Sequence, residues 1–417
     1  MKSMFKNKYL SRFDLWSLCL GNFFEHYDTA LFSFLAPILA PLIFPKKELI
    51  SALILTYAMI PFGMIVRPIG ALLFGYIADR FGRREALFWS LGGMSIVSGC
   101  IAFCPLYARV GILAPIIFCL ARVLQNLLAS GETMGGALFL LENSPKDHHD
   151  FLSSVYSMST IGGILLASFG VSIISLNCYI DWGWRLLYLI GCLTGLFGFV
   201  LRRKIHSRST FGKTPNPIKA LWVYRKPLFI IAIASGFSYA NYSVALILMN
   251  GFVPLVSTIS KNQMISLNTA LLVLDFCALP LFGYIASKIS REKMMLGAAL
   301  TILFLATPLF RILPGVSLNG MIAIRVFLVL AGVAFCAPFH AWAIELVPKE
   351  HRYGIILFGY AIGCQLLGGP TVALSLWIFK STGIVTSVIW YWSILALICS
   401  ILLASRCLKK EVNYEKE

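Results

Sequence analysis

The chain has 417 residues, of which 59% are hydrophobic and only 13% are charged, and its mean hydropathy is +0.82. Because soluble domains contain about a quarter charged residues, this composition excludes an ordinary soluble protein and indicates a polytopic membrane protein. The net charge of +17 does not indicate nucleic-acid binding, since the basic residues lie in short loops between apolar segments. The eleven cysteines show no metal-ligand spacing, so neither a metal nor a cofactor is expected.

Long apolar segments follow one another along the chain, and we number them one to twelve. Those beside the charged turn at 75–84 are long enough to cross a hydrocarbon core of about 30 Å as helices. Segments one to six cover about 15–44, 49–78, 86–107, 111–141, 152–176 and 184–201. Segments seven to twelve cover about 227–257, 264–287, 294–313, 318–347, 353–379 and 383–407. The pattern predicts an all-α membrane protein with twelve transmembrane helices.

Two sequence repeats divide the chain into similar halves. The sequence Gly-Tyr-Ile-Ala at 75–78 recurs at 283–286, a shift of 208 residues, and 142–148 resembles 345–351 after a shift of 203 residues. A shift that preserves orientation predicts two pseudo-symmetric six-helix halves related by an axis along the membrane normal. The predicted domains are an N-terminal half at 1–201, a cytoplasmic basic linker at 202–226 and a C-terminal half at 227–417.

The distribution of basic residues predicts the orientation. With both termini in the cytoplasm, 25 of the 35 Lys and Arg residues fall in inner loops and tails, and seven fall in outer loops. This asymmetry follows the positive-inside rule. We therefore expect a multi-pass plasma membrane protein in a bacterial inner membrane, surrounded by lipid bilayer and monomeric.

Several separated motifs lie in order along nearly the whole chain: 21–28 (GNFFEHYD), 67–70 (RPIG), the turn at 75–84 (GYIADRFGRR), 122–125 (RVLQ), 183–185 (GWR) and 345–348 (ELVP). Together these motifs resemble the major facilitator superfamily, whose signature loop is similar to the turn at 75–84. Within it they are similar to the metabolite:proton symporter family, which includes proline/betaine, 2-oxoglutarate, citrate and shikimate transporters. Two positions depart from that pattern: His26 stands where Trp is usual, and Asn126 stands where Gly is usual.

Ionisable side chains inside the segments are the candidates for proton coupling. An ionisable group at the centre of a membrane helix costs about 2.5 to 3.5 kcal/mol on insertion scales, so it needs a partner or a water-lined cavity. The polar residues of segment one span an arc of about 160° on one helix face. That face either lines a cavity or holds neighbouring helices together. The candidates are Glu25, Asp28, His26 and Glu132.

Polar and aromatic side chains in the same segments are candidates for substrate binding. Arginine suits a carboxylate through charge-assisted hydrogen bonds, and aromatic rings suit a quaternary ammonium group. Arg67 aligns with Asp275 under the shift of 208 residues, and we hypothesise that the two pair in one transport state. The alternative for each is an ion pair that only holds the bundle together. The candidates are Arg67, Arg122, Asn22, Tyr27, Gln125, Asp275, Phe24 and Tyr57.

Charged and glycine residues at the ends of segments form a third group. Helix ends leave unpaired backbone groups and interact with charges. The family resemblance implies that these residues form a gate that ties the halves together in the outward-facing state. They are Gly75, Asp79, Arg80, Gly82, Arg83, Arg84, Glu142, Glu345 and Arg352.

Together these features predict a secondary active transporter that imports a small polar metabolite with a proton by alternating access. The resemblance implies a zwitterion such as proline or betaine, or a carboxylate such as 2-oxoglutarate. An export antiporter and an uncoupled facilitator are the alternatives. A membrane-embedded enzyme is a remote one, because 148–150 (HHD) is its only candidate site and lies within a repeat. The sequence has no GxxxxGK[ST] motif, so ATP-driven transport has no support.

Overall fold

The computed structural model describes residues 11–45, 55–56, 59, 63–176, 180–203 and 217–414. In this described part the chain is helical and contains no strand. Segments one to six correspond to helices Arg12–Ile43, Arg67–Phe81, Arg83–Ala102, Leu113–Ala129 with Thr133–Glu142, His149–Leu176 and Ile180–Arg203. Segments seven to twelve correspond to Arg225–Tyr242 with Met249–Val256, Lys261–Ala286, Arg291–Arg311, Leu318–Cys336 with Phe339–Glu345, Arg352–Ile362 with Thr371–Thr382, and Trp390–Tyr414.

Ten stretches of the described chain are helical, long and apolar enough to cross a membrane, and they correspond to segments three to twelve. Segment one is a helix of 32 residues. The described C-terminal part of segment two is a helix of 15 residues. Among the described residues, two short α-helices lie between the segments, at Tyr107–Val110 directly after segment three and at Pro217–Val223 in the basic linker.

Local sequence determines where several helices begin and turn. Ser11 and Asp14 form a capping box at the start of segment one, in which the Ser11 hydroxyl accepts the Asp14 amide at 3.1 Å. Gly82 separates segments two and three and has φ of +104°, a conformation that side chains with a Cβ rarely adopt. The glycine therefore permits the sharp turn between these two helices.

Four segments are interrupted where the sequence pattern predicted continuous helices. Segments seven and eleven contain π-helical turns at Ser243–Leu248 and Gly363–Gly368. A Cβ on Gly363 would lie 2.1 Å from the Ala232 carbonyl oxygen, so segments seven and eleven approach closely here. Segment ten breaks before Pro338, which has no amide hydrogen for a helical bond. Segment four breaks at 130–132.

The chain divides into two compact units by its internal contacts. The first unit comprises 1–144, 159–220 and 349–358, and the second comprises 145–158, 221–348 and 359–417. The first unit therefore includes the beginning of segment eleven, and the second includes the beginning of segment five. The division into two six-helix domains joined by a linker stays a prediction.

Each unit has its own apolar core. In the first unit, segments one, four and six pack around Phe118, Trp184 and Tyr188, and the rings of Phe118 and Trp184 lie 6.0 Å apart. In the second unit, the Phe237 and Phe335 rings meet edge to face at 4.9 Å between segments seven and ten. These cores hold the polar side chains of the segments in fixed positions.

Candidate functional site

Asp28 lies at the centre of a buried hydrogen-bond network in the first unit. Its Oδ2 atom accepts hydrogen bonds from the Ser98 hydroxyl of segment three and from the Gln125 amide of segment four. Gln125 also donates to the Ser98 hydroxyl at 3.1 Å, and its carbonyl oxygen accepts from the Arg122 guanidinium. Arg122 is 1% exposed and lies over the Phe32 ring, 4.6 Å from its centre. The amide of Gln125 thus connects Arg122 to Asp28.

Glu25 lies one helical turn before Asp28 and has different neighbours. Its side chain is fully buried, and its Oε1 atom lies 3.5 Å from the Arg67 guanidinium. The Oε2 atom lies 2.9 Å from His26 Nδ1 and accepts the Thr133 hydroxyl at 3.0 Å. The same His26 nitrogen lies 2.9 Å from the backbone oxygen of Asn22. Glu25 therefore has a cationic partner in direct contact.

Asn126 joins the two carboxylate sites. Its side-chain oxygen accepts the Arg67 Nε hydrogen at 2.9 Å, and its amide donates to the Arg122 backbone oxygen at 2.9 Å. This residue departs from the family pattern, in which Gly is usual. The departure supplies Arg67 with a second partner.

The two carboxylates are suited to different roles. Protonation of Glu25 would break its ion pair with Arg67. Asp28 is bonded directly to neutral donors, and its Oδ1 atom has no hydrogen-bond partner in the described part of the chain. A carboxyl bonded to neutral donors can gain a proton without breaking an ion pair. The arrangement favours Asp28 over Glu25 as the group that exchanges a proton.

Other predicted site residues connect helices within the first unit. The Asn22 amide donates to the Ser159 and Thr160 hydroxyls of segment five, each at 2.8 Å. The Tyr27 hydroxyl donates to the Leu187 carbonyl at 3.0 Å, and Tyr27 is 2% exposed. Each side chain links segment one to a neighbouring helix.

The remaining candidates of the first half differ in burial. Phe24 is partly buried and meets the Phe23 ring edge to face at 5.5 Å. Glu132 is fully buried at the start of helix Thr133–Glu142. Tyr57 lies outside the described residues. The roles of all three in binding stay predictions.

Asp275 is the predicted site residue of the second unit. It lies on segment eight, is 8% exposed and interacts electrostatically with Tyr242 and Cys336. No hydrogen bond or ion pair joins it to another described residue. The pairing of Arg67 with Asp275 stays a hypothesis.

The predicted gate residues of the first unit meet at the ends of their segments. Glu142 forms ion pairs with Arg83 and with Arg352, the latter at 3.0 Å. Arg83 also donates to the Lys349 carbonyl at 3.2 Å and lies over the Tyr353 ring, 5.3 Å from its centre. We call Arg83, Glu142 and Arg352 the first charge cluster.

Other residues of the signature turn surround this cluster. A Cβ on Gly75 would lie 2.9 Å from Gly354 Cα, so this glycine permits close helix contact. A Cβ on Gly354 would lie 3.5 Å from an oxygen of the Asp79 carboxylate, so Asp79 also lies against the beginning of segment eleven. Arg80 donates to the Tyr76 hydroxyl, and Arg84 is partly buried at the start of segment three.

A second charge cluster, which sequence reasoning did not identify, lies in the second unit. Arg291 contacts Asp150 through two oxygens at 3.0 and 3.1 Å and contacts Glu345 at 2.7 Å. Only Glu345 of these three was predicted as a gate residue. The shift of 208 residues from Arg83 to Arg291 was the available signal. Ser98 and Thr133 were also missed, because hydroxyl residues are common in membrane helices.

Known proteins resemble this chain in sequence. A family model described as "Sugar (and other) transporter" matches residues 16–208. The citrate-proton symporter of Klebsiella pneumoniae is 28% identical, over 92% of this chain and 88% of that protein. The alpha-ketoglutarate permease of Escherichia coli (strain K12) is 27% identical, over 91% and 89%. The glycine betaine/proline/ectoine/pipecolic acid transporter OusA of Dickeya dadantii (strain 3937) is 24% identical, over 91% and 80%.

Solved structures resemble it in fold. The major facilitator superfamily transporter FucP, crystallised in the outward conformation, matches with a TM-score of 0.73 at 15% identity, over 94% of this chain and 98% of that one. The xylose transporter XylE from E. coli, in a partially occluded inward open conformation, matches with a TM-score of 0.66 at 16% identity, over 94% and 97%.

Proposed function

Because the chain belongs to the major facilitator superfamily and is a secondary transporter, we propose that it imports a small polar metabolite together with a proton. The predicted fold class, an all-α membrane protein of the major facilitator fold, is confirmed. The chain is a transporter and not an enzyme. Sequence relatives that carry citrate, 2-oxoglutarate, proline or betaine support a zwitterion or a carboxylate as the substrate.

The observation that carries this proposal is the buried network of Asp28, Ser98, Gln125 and Arg122. In our proposal Asp28 accepts the coupled proton while Glu25 stays paired with Arg67. Protonation removes the negative charge of Asp28, to which Arg122 is connected through Gln125. The guanidinium is then available to a substrate carboxylate, for which arginine is well suited. Proton binding and substrate binding thereby favour each other.

We propose that the two charge clusters control conformational exchange and do not select the substrate. In the first cluster Glu142 is shared between Arg83 and Arg352. In the second cluster Arg291 is shared between Asp150 and Glu345. Because one residue is shared in each cluster, small movements can exchange its ion pairs. The basic residues in loops on one side of the membrane support cytoplasmic termini. A bacterial inner membrane and a monomeric state belong to the same proposal.

Uptake into proteoliposomes under an imposed inward proton gradient tests this function. Proline, glycine betaine, 2-oxoglutarate and citrate are compared for the wild type, Asp28→Asn and Asp14→Asn. Asp14 supplies a matched control, because it lies on the same helix but outside the network, in the capping box. We expect one substrate class to accumulate in the wild type and in Asp14→Asn, and accumulation to fall at least tenfold, to roughly equilibrium, in Asp28→Asn.

Three outcomes would contradict the proposal. Uptake that ignores the gradient would indicate an uncoupled facilitator. Substrate movement against the direction of the proton flux would indicate an export antiporter. Full accumulation by Asp28→Asn would assign the proton to another group.

A further inference from the structure

The buried charges of the two units are neutralised to different extents. In the first unit, Glu25 contacts Arg67, and Asp28 is connected to Arg122 through Gln125. In the second unit, Asp275 is more than nine-tenths buried but has no hydrogen-bond or ion-pair partner among the described residues. A buried carboxylate without a partner is costly. The group that neutralises Asp275 is therefore of functional interest.

Arg325, the buried arginine of segment ten, does not fill this role. It is fully buried, and its Nε and Nη2 atoms donate to the Ala245 carbonyl at 3.2 and 2.8 Å. Its Nη1 atom donates to the Met264 carbonyl at 3.2 Å, and Nη2 also reaches the Asn268 side-chain oxygen at 2.7 Å. All three guanidinium nitrogens are thus engaged with oxygens other than those of Asp275.

Asp275 lies near an aromatic and a thiol side chain of the second unit. Asp275 is close enough to interact electrostatically with Tyr242 of segment seven and Cys336 of segment ten. The Tyr239 ring lies 6.5 Å from the Tyr242 ring, and both side chains are partly exposed. The Cys336 thiol lies 3.9 Å from the Ser157 hydroxyl. The buried carboxylate of Asp275 therefore lies near Tyr242, whose ring is one of a pair.

The backbone is irregular at the same place. Segment seven changes from an α-helix to a π-helical turn immediately after Tyr242, at Ser243–Leu248. Such turns occur frequently at functional sites. A Cβ on Gly368 would lie 2.7 Å from Tyr239 Cβ, so segment eleven packs against the base of this tyrosine. The contact fixes the position of one ring of the pair.

We infer that Asp275, Tyr239 and Tyr242 form a subsite for a cationic group of the transported metabolite, either an ammonium or a quaternary ammonium group. The carboxylate supplies the opposite charge, and the faces of the tyrosine rings attract a cation within about 6 Å. This inference rests on the proposed function, because it selects the zwitterionic class over the carboxylates within that proposal. It favours betaine-like and proline-like molecules.

Equilibrium binding to the purified protein, without a proton gradient, tests the subsite. The probes are glycine betaine and its carbon isostere, in which a tert-butyl group replaces the trimethylammonium group and the carboxylate is kept. We expect the wild type to bind glycine betaine at least about tenfold more tightly than the isostere. Asp275→Asn should bring the two affinities close to equality.

Two further comparisons control for damage to the fold. Glu292→Gln neutralises another buried acid of the second unit, which is paired with Arg406 at 3.4 Å, and it should keep the tenfold preference. Tyr239→Leu should weaken glycine betaine binding, whereas Tyr239→Phe should retain it because the ring is kept. If Asp275→Asn does not fold, the wild-type preference for glycine betaine and the comparison of Tyr239→Leu with Tyr239→Phe still test the subsite.

The inference is overturned if the wild type does not prefer glycine betaine to its isostere, or if it binds citrate or 2-oxoglutarate but neither glycine betaine nor proline. A preference that persists in Asp275→Asn also overturns it. Preference for glycine betaine that depends on Asp275, combined with uptake that ignores the proton gradient, would support the subsite and refute only the coupling.

Discussion

Glu25 and Asp28 occupy neighbouring turns of one helix, yet Glu25 forms an ion pair, whereas Asp28 accepts hydrogen bonds from neutral donors. Glu25 faces Arg67 and His26 directly. Asp28 faces Ser98 and Gln125, and the cation of its network is one residue further away. The two residues are similarly buried: Glu25 is 0% exposed and Asp28 is 3% exposed. Burial alone therefore does not distinguish a structural carboxylate from one that exchanges a proton.

The difference assigns separate tasks to the two acids. Removing one partner of a buried ion pair strongly destabilises the folded protein, because the other charge is left unpaired. A carboxyl bonded to hydroxyl and amide donors can change its protonation state at a smaller structural cost. We therefore expect Glu25 to matter more for stability and Asp28 to matter more for coupling.

Glu25→Gln is predicted to cause the largest loss of stability. It leaves the Arg67 guanidinium, which is only 11% exposed, without its carboxylate, and we expect this to lower the free energy of unfolding by about 3 to 5 kcal/mol. Thermal unfolding of the purified protein measures the loss. Asp28→Asn should cost clearly less, because an amide oxygen still accepts hydrogen bonds from Ser98 and Gln125.

The double variant Glu25→Gln with Arg67→Gln checks the cause. It removes both charges and should recover part of the lost stability. Equal destabilisation by Glu25→Gln and Asp28→Asn, or no recovery in the double variant, would remove the basis for assigning different tasks to the two acids.

The sequence predicted the features of this site that depend on charge. Charged residues stand out in apolar segments, because each is costly unless it is paired or hydrated. Glu25, Asp28, Arg67 and Arg122 were identified in this way, and the structure connects them in one unit. The superfamily was likewise recognisable, since the signature turn at 75–84 combines charges and glycines between two apolar segments.

Features that depend on packing were not predictable. Ser98 and Thr133 resemble many other hydroxyl residues in the segments, and only the packed helices show that they reach Asp28 and Glu25. The π-helical turn of segment eleven begins at Gly363, which packs closely against Ser235 of segment seven, 128 residues earlier in the sequence. Likewise, no local pattern indicates that 349–358 pack with the first unit.

Asn126→Ala is predicted to have an intermediate effect. It removes the second partner of Arg67 while the ion pair with Glu25 remains. We expect a loss of about 1 to 3 kcal/mol in the free energy of unfolding, which is typical when a buried hydrogen-bonding group loses its partner. Thermal unfolding again provides the measurement.

Asn143→Ala provides the matched control for this variant. The Asn143 amide also donates to the carbonyl four residues earlier, that of Phe139, at 2.8 Å, but its described contacts include no arginine. We expect a smaller loss in this case. Equal losses for Asn126→Ala and Asn143→Ala would show that the link between the two carboxylate sites does not add to stability.

Ser98→Ala is predicted to have the smallest effect and tests the Asp28 side of the comparison most narrowly. It removes one of two neutral donors to Asp28 and leaves Gln125 in place. A hydrogen bond of this kind contributes about 0.5 to 1.5 kcal/mol, so the initial rate of gradient-driven uptake should fall roughly two- to tenfold.

Ser95→Ala is the control for this variant. The Ser95 hydroxyl lies on the same helix but donates to the backbone carbonyl of Leu91, at 2.8 Å. A rate that falls equally in both variants would mean that loss of a hydroxyl from segment three, and not the contact with Asp28, limits transport. A rate that falls only in Ser98→Ala would show that neutral donors around Asp28 contribute to coupling.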